Sequence, residues 1–124
     1  MQGYRDLKVW QMGLDLCPVI YRLVKELPRE ENYALGDQLR RAVVSIPANI
    51  AEGHSRRQTK AFLNHLAIAS GSLAELDTLL EVAERLNYIA AADADNGRER
   101  IGDLRRALSG LRASLRTKLV PAES

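Results

Sequence analysis

The chain has 124 residues, of which 46% are hydrophobic and 27% charged, a balance that suits one globular domain and excludes a disordered or membrane-embedded chain. Net charge is only +2 and aromatics make up 5%, so bulk electrostatics make little case for a polyanionic partner, and the core must be filled mainly by Leu, Ala, Ile and Val, which favours helices. The lone Cys17 rules out an internal disulfide framework, no apolar run approaches the roughly 18 residues of a membrane span, and Met1 to Lys8 lacks the apolar stretch of a signal peptide; a cytoplasmic protein is expected.

Apolar residues recur every three or four positions in four segments, predicting helices over about 6–27, 33–52, 56–86 and 94–119 of a single domain. In the first, Asp6 is a candidate N-cap and Leu7, Trp10, Leu14, Cys17, Tyr21 and Val24 form the expected inward stripe, with Pro28 closing the segment. Pro18 lies inside it, and a kink is expected there because proline removes a donor and crowds the preceding turn. Cys17, in an apolar helix, reads as core filler and not as a nucleophile.

The second segment carries Leu35, Leu39, Ala42, Val43, Ile46 and Ile50 on one side, with Pro47 predicting a second kink and Gly53 placed to end the helix in a left-handed cap. Ser55-Arg56-Arg57-Gln58 then reads as a capping box opening the third. Phe62, Leu66, Ala69, Leu73, Leu76, Leu80 and Ala83 make its stripe, and Gly71, among small neighbours, is expected at a close helix contact. The fourth repeats Ile101, Leu104, Leu108, Leu111, Leu115 and Leu119, with aspartates up to Asp95 as N-caps, Pro121 after its stop, and Gly102 and Gly110 as packing allowances. Short connections between four amphipathic helices predict an all-α, up-down-up-down four-helix bundle. The third and fourth helices carry wide apolar faces, so self-association is expected to bury the excess.

Chemistry-bearing motifs are missing from the sequence: there is no Glu-x-x-His pair for a di-iron site, no phosphate-cradling glycine loop, no nucleophile elbow and no Cys-x-x-Cys. His54 and His65 are eleven residues apart with a helix start expected between them, a poor metal pair that reads as surface or capping histidines. No catalytic residue, metal or cofactor is expected.

The run from Gln38 to Gly53, QLRRAVVSIPANIAEG, followed by Ile68 to Leu76, IASGSLAEL, resembles a bacterial four-helix-bundle family that includes proteins encoded within intervening sequences of large-subunit ribosomal RNA genes and is related to the accessory variability determinant of diversity-generating retroelements. The resemblance extends from Leu7-Lys8-Val9-Trp10 to about Ile89, with Pro18 departing from the usual pattern. It implies a ring-like homopentamer without catalytic residues, some relatives acting as scaffolds for nucleic acid or reverse transcriptase. The motif positions Arg41, Ser45, Pro47, Asn49, Glu52, Gly53, Gly71, Ser72 and Glu75 have a structural reading, and Arg41, Asn49, Glu52 and Glu75 are expected to form a polar network joining the second and third helices.

An antiparallel hairpin of the last two helices centred near Ala91 would set Glu84 against Arg98 and Asp77 against Arg105. The same arithmetic puts Arg112 and Arg116 level with the start of the third helix, at an end that also collects Arg5, Lys8, Arg56, Arg57, Lys60 and Lys118. Against these eight cations stand Asp6, Glu52 and Glu123, while Glu30, Glu31, Glu81, Glu84, Asp93 and Asp95 make the opposite end acidic. The expected function is a non-enzymatic oligomeric scaffold, a homopentamer whose basic rim engages RNA, DNA or a nucleic-acid-associated protein. The alternatives are a protein-interaction hub without nucleic acid and, last, a small-molecule binder at a subunit interface.

Overall fold

A computed structural model describes residues 3–123, with side chains described through Leu119. Four helices form an all-α bundle: α1 (Lys8–Val24), α2 (Leu35–Ser55), α3 (Thr59–Arg85) and α4 (Ala91–Glu123), with single 3-10 turns at Tyr4–Asp6 and Arg29–Glu31. Each helix packs on its chain neighbour and α4 closes back on α1. No helix among the described residues is long and apolar enough to cross a membrane.

The stripes expected of α2 and α3 are all buried, and Ile20, Val43, Ile46, Ile50, Leu66, Leu76, Leu80 and Ile101 are completely inaccessible. In α1 the inward face differs. Val9, Gly13, Leu16, Val19, Ile20, Leu23 and Val24 are buried, whereas Leu14 and Tyr21 stay exposed and Trp10 and Cys17 sit at the core's margin. The observed stripe is turned by about 100°, one residue, from the expected one. α1 is apolar on two faces, and the bundle takes the one made mostly of aliphatics and leaves Trp10 and Tyr21, which carry polar atoms, at the edge.

Both internal prolines lie within unbroken helices. Pro47 packs against α1 at Gly13, where an added Cβ would lie 3.3 Å from the proline ring. By lacking an N–H, Pro47 frees the Val43 carbonyl. The Cys17 thiol, 3.9 Å away and also 3.5 Å from the Gly13 carbonyl, is the donor beside it. Burial pushes the Cys17 thiol above its ordinary pKa, which disfavours the thiolate and fits a packing role.

Several helix ends differ from expectation. Asp6 belongs to the first 3-10 turn, and Leu7 precedes α1 without a side-chain cap bond. Gly53 is inside α2, and among the described residues no glycine has positive φ; the left-handed ones are Arg57 (φ 58°) and Asn87 (φ 62°). Ser55 ends α2, and Gln58 is the N-cap of α3 with no side-chain cap bond, so no capping box forms. After α3, Tyr88 donates to the Ala83 carbonyl at 2.9 Å around left-handed Asn87, a Schellman closure. α4 starts at Ala91, with Asp93 in its first turn where the helix dipole favours a carboxylate, and it continues through Pro121. Gly71 and Gly110 face open space, so neither allows a helix contact, while Gly102 is near only the Arg106 side chain.

At the acidic end, Arg98 of α4 reaches Asp95 and Glu81 at 2.9 Å each and also pairs with Glu84, as the hairpin arithmetic predicts. Asp77 and Arg105 form no ion pair among the described residues. Arg85, at 2.9 Å, and Arg98 hold the Glu81 carboxyl below the usual carboxylate range. A carboxylate with a depressed pKa contributes stability above its unfolded pKa and loses it as pH falls through the folded value. Arg98→Ala is therefore expected to lower the thermal midpoint at neutral pH, and melting curves at lower pH should show the deficit shrinking as the carboxylates protonate.

Candidate functional site

A polar clamp joins α2 to α3 toward the basic end. The Asn49 amide nitrogen donates to the Ser45 carbonyl at 2.9 Å and lies 3.1 Å from Ser45 Oγ, which is 2.8 Å from Ser72 Oγ across the helix pair. Asn49 Oδ1 is left facing His65 Nδ1 at 3.2 Å. Since a carbonyl oxygen only accepts, Nδ1 carries the proton. His65 Nε2 then lies 4.0 Å from the Glu52 carboxylate, which pairs with Arg56 at 3.0 Å. His65 is thus half-buried and clamped, not the surface histidine expected from its spacing.

Of the nine motif positions, Ser45, Asn49, Glu52 and Ser72 enter this clamp. Gly53 admits His65 and Phe62 against the α2 backbone, and Pro47 meets α1. Arg41 and Glu75 do not join the network: both are exposed, as is Gly71. Each lies one or two helical turns from an exposed apolar residue of its own helix, Arg41 from Val44 (44% exposed) and Glu75 from Ile68 (51%). Among the described residues, surplus apolar surface thus lies on α3 as expected, at Ile68 and Val82, and on α1 and α2, at Leu14, Tyr21 and Val44, but not on α4.

The end of the bundle where α1 starts, α2 ends and α3 starts is open, for a simple reason of length. α1 has 17 residues and α4 has 33, about 25 and 50 Å of helix, so α4 runs past the beginning of α1 without its support. The gap is a cavity of about 420 Å³ floored by Leu7, Phe62, Leu111 and Leu115. Its polar lining is His54, Arg57, Gln58, Thr59 and Lys118. His54 meets Phe62 edge to face, ring centres 5.4 Å apart. A second hollow of about 350 Å³ shares Leu7 and Leu111 and is bordered by Lys8 and Arg106.

The eight sequence-predicted cations therefore divide. Arg57 and Lys118 line the cavity, Lys8 borders the adjoining hollow, and Lys60 and Arg116 are exposed nearby in chain position. Arg56 is engaged by Glu52, and Arg5 lies over the Trp10 ring at 5.5 Å. Arg112 leaves the rim: it is half-buried beside α3, its guanidinium 3.3 Å from Ser70 Oγ. A hairpin centred at Ala91 sets position 112 against position 70, and the contact with Ser70 keeps that register, which lies at mid-helix and not at the start of α3. Composition and spacing pointed to the cations but not to the cavity or to its aromatic pair. Among the described residues, no cluster of three His, Cys, Asp or Glu is placed to hold a metal.

The model of the 23S rRNA-intervening sequence protein family matches residues 5–110. The chain belongs to this family. Among solved structures, it is similar to a protein of unknown function from the S23 ribosomal protein family of Bacteroides thetaiotaomicron VPI-5482, with 25% identity, a TM-score of 0.78, and coverage of 84% of this chain and 97% of that one. No curated protein matches the chain. For this member of the intervening-sequence family, the matched span includes the α2–α3 clamp and, of the cavity lining, Leu7 and the stretch from His54 to Phe62, while Leu111, Leu115 and Lys118 lie beyond it.

Proposed function

We propose that the chain is a non-enzymatic, self-associating cytoplasmic scaffold that engages nucleic acid through its open, basic end. The observation that carries this reading is the unpaired charge around the open end: among the described residues, Arg57 and Lys118 of the cavity lining, Lys8 of the adjoining hollow, and the exposed Lys60 and Arg116 form no ion pair, while the opposite end concentrates carboxylates. At that acidic end Glu26 and Asp93 lie close enough that burial and the neighbouring carboxyl raise the pKa of Glu26. Such polarity steers a phosphate backbone to one end of the molecule. Arg57 adds a second argument, because it holds a left-handed backbone that costs a non-glycine residue about 1–2 kcal/mol. Keeping an arginine there is consistent with its side chain being used.

Self-association is supported by the apolar residues left exposed on three helices, Leu14 and Tyr21 of α1, Val44 of α2 and Ile68 of α3, together with the exposed motif residues Arg41 and Glu75. A homopentamer is the assembly implied by the family resemblance, and it would gather the basic ends on one rim. Light scattering of the wild type and of Val44→Glu/Ile68→Glu tests the interface; a monomeric wild type removes the scaffold reading.

Binding of labelled RNA and duplex DNA across a salt series tests the basic end. Lys60→Glu/Arg116→Glu is expected to weaken binding at least about tenfold and to flatten the salt dependence, since each lost phosphate contact lowers the slope by about 0.7–0.9. Affinity indifferent to both salt and charge reversal rejects the nucleic-acid role and leaves a protein-interaction hub.

A further inference from the structure

We propose that this end of the bundle selects single-stranded nucleic acid by seating one unpaired base in the cavity against Phe62 and His54, with Arg57 and Lys118 on the flanking phosphates. The inference rests on the nucleic-acid reading and goes beyond it in naming the form of nucleic acid and the point of contact.

The volume of about 420 Å³ falls in the roughly 300–1,000 Å³ range of small-molecule sites, far more than one phosphate fills. A bare phosphate on the rim would leave the half-buried Leu7 and Leu111 of the floor wet. An acyl chain would cover that floor but strip water from His54, Gln58 and Thr59 without replacing their hydrogen bonds, which is costly. A nucleobase answers both demands, with apolar faces and an edge of donors and acceptors.

The polar groups suit that edge. Gln58, the uncapped N-cap of α3, offers one acceptor and two donors and makes no side-chain hydrogen bond among the described residues. Thr59 adds a hydroxyl that gives or accepts. The half-buried His54 ring, braced edge to face by Phe62 with an interplanar angle of 84°, is the aromatic surface on the wall. Stacking of bases on such rings tolerates any sequence. Arg57 and Lys118 supply the charge that fixes a backbone without reading it. Bases in a duplex are stacked and paired, and one must be extruded before it reaches such a hollow.

The test uses the full chain and an oligonucleotide of about 12 nucleotides carrying a fluorescent aminopurine, offered as a single strand and as a blunt duplex at about 50 mM salt. The single strand is expected to bind about tenfold more tightly or better, with a change in aminopurine fluorescence. Thr59→Met, which puts an apolar, non-aromatic side chain into the cavity without altering charge, should weaken both the preference and the fluorescence change while keeping salt-dependent binding. His54→Ala/Gln58→Ala, in side chains that leave the core intact, should reduce the preference alone. Equal affinity of the wild-type protein for single strand and duplex overturns base seating and leaves the electrostatic role standing. A preference that survives Thr59→Met undiminished, or a polyglutamate peptide that competes as well as the oligonucleotide, also overturns it. Binding of neither nucleic acid defeats the broader reading together with this one.

Discussion

Gly53→Val is expected to be among the most damaging single changes in the molecule, lowering the unfolding free energy by about 3 kcal/mol. A Cβ at this position would sit 2.4 Å from His65 Cβ, 3.1 Å from His65 Cγ and 3.3 Å from Phe62 Cδ1. His65 Cβ is fixed to the α3 backbone, so no rotamer change relieves the clash, and α2 and α3 must move apart. Separation stretches the Asn49–His65 hydrogen bond of 3.2 Å and displaces His54 and Phe62, which line the cavity. Valine is a better helix former than glycine by a few tenths of a kcal/mol, too little to compensate. Urea denaturation of the variant checks the loss; an unchanged midpoint would show that the helices already have slack at this crossing. A protein of this size has about 5–15 kcal/mol in total, so the variant should remain folded enough at low temperature for its nucleic-acid affinity to be measured beside its stability.

Gly53 also shows where sequence reading stops. A glycine after an amphipathic run ordinarily marks a left-handed cap, and local pattern alone favours that assignment. The deciding fact is tertiary: α3 presses on α2 there, and absence of a side chain is used for proximity instead of φ. α2 and α3 were legible because each has one apolar stripe, so periodicity and burial agree at Leu39, Ile46, Leu66 and Leu73. α1 has two, and spacing cannot choose between the Leu14–Tyr21 face and the Leu16–Ile20 face. The clamp left a fainter trace. Ser45 and Asn49 are four apart on α2, and His65 and Ser72 seven apart on α3, each pair beside an apolar stripe. Polar residues at such margins are candidates for cross-helix bonds, but their partners are set by the register of the two helices. The cavity was the least visible feature, since it arises from α4 outrunning α1, and Pro121 suggested a helix that stops sooner.

Leu80→Ala is expected to cost about 3–4 kcal/mol, within the range for a fully buried leucine. Its surroundings make a sharper test possible. An added Cβ at Gly97 of α4 would lie 2.9 Å from Leu80 Cδ1 and 3.7 Å from Leu23 Cδ1, so α1, α3 and α4 meet at this point. In the wild-type background, Gly97→Ala gains about 1 kcal/mol of helix propensity and spends much of it on moving the Leu80 methyl. With Leu80→Ala that methyl is gone, and the new Cβ enters the vacated space while keeping the propensity gain. The double variant should then be more stable than Leu80→Ala by about 1 kcal/mol or more, a coupling energy of the size expected for residues in contact. Denaturant titration of the four proteins completes the cycle, and strict additivity would mean that Leu80 does not limit the approach of α4. The tightness of this three-helix contact, set against the unsupported α4 at the other end, accounts for the mechanical asymmetry of the bundle: its acidic end is closed by packing and by the Arg98 ion pairs, and its basic end is left with room for a ligand.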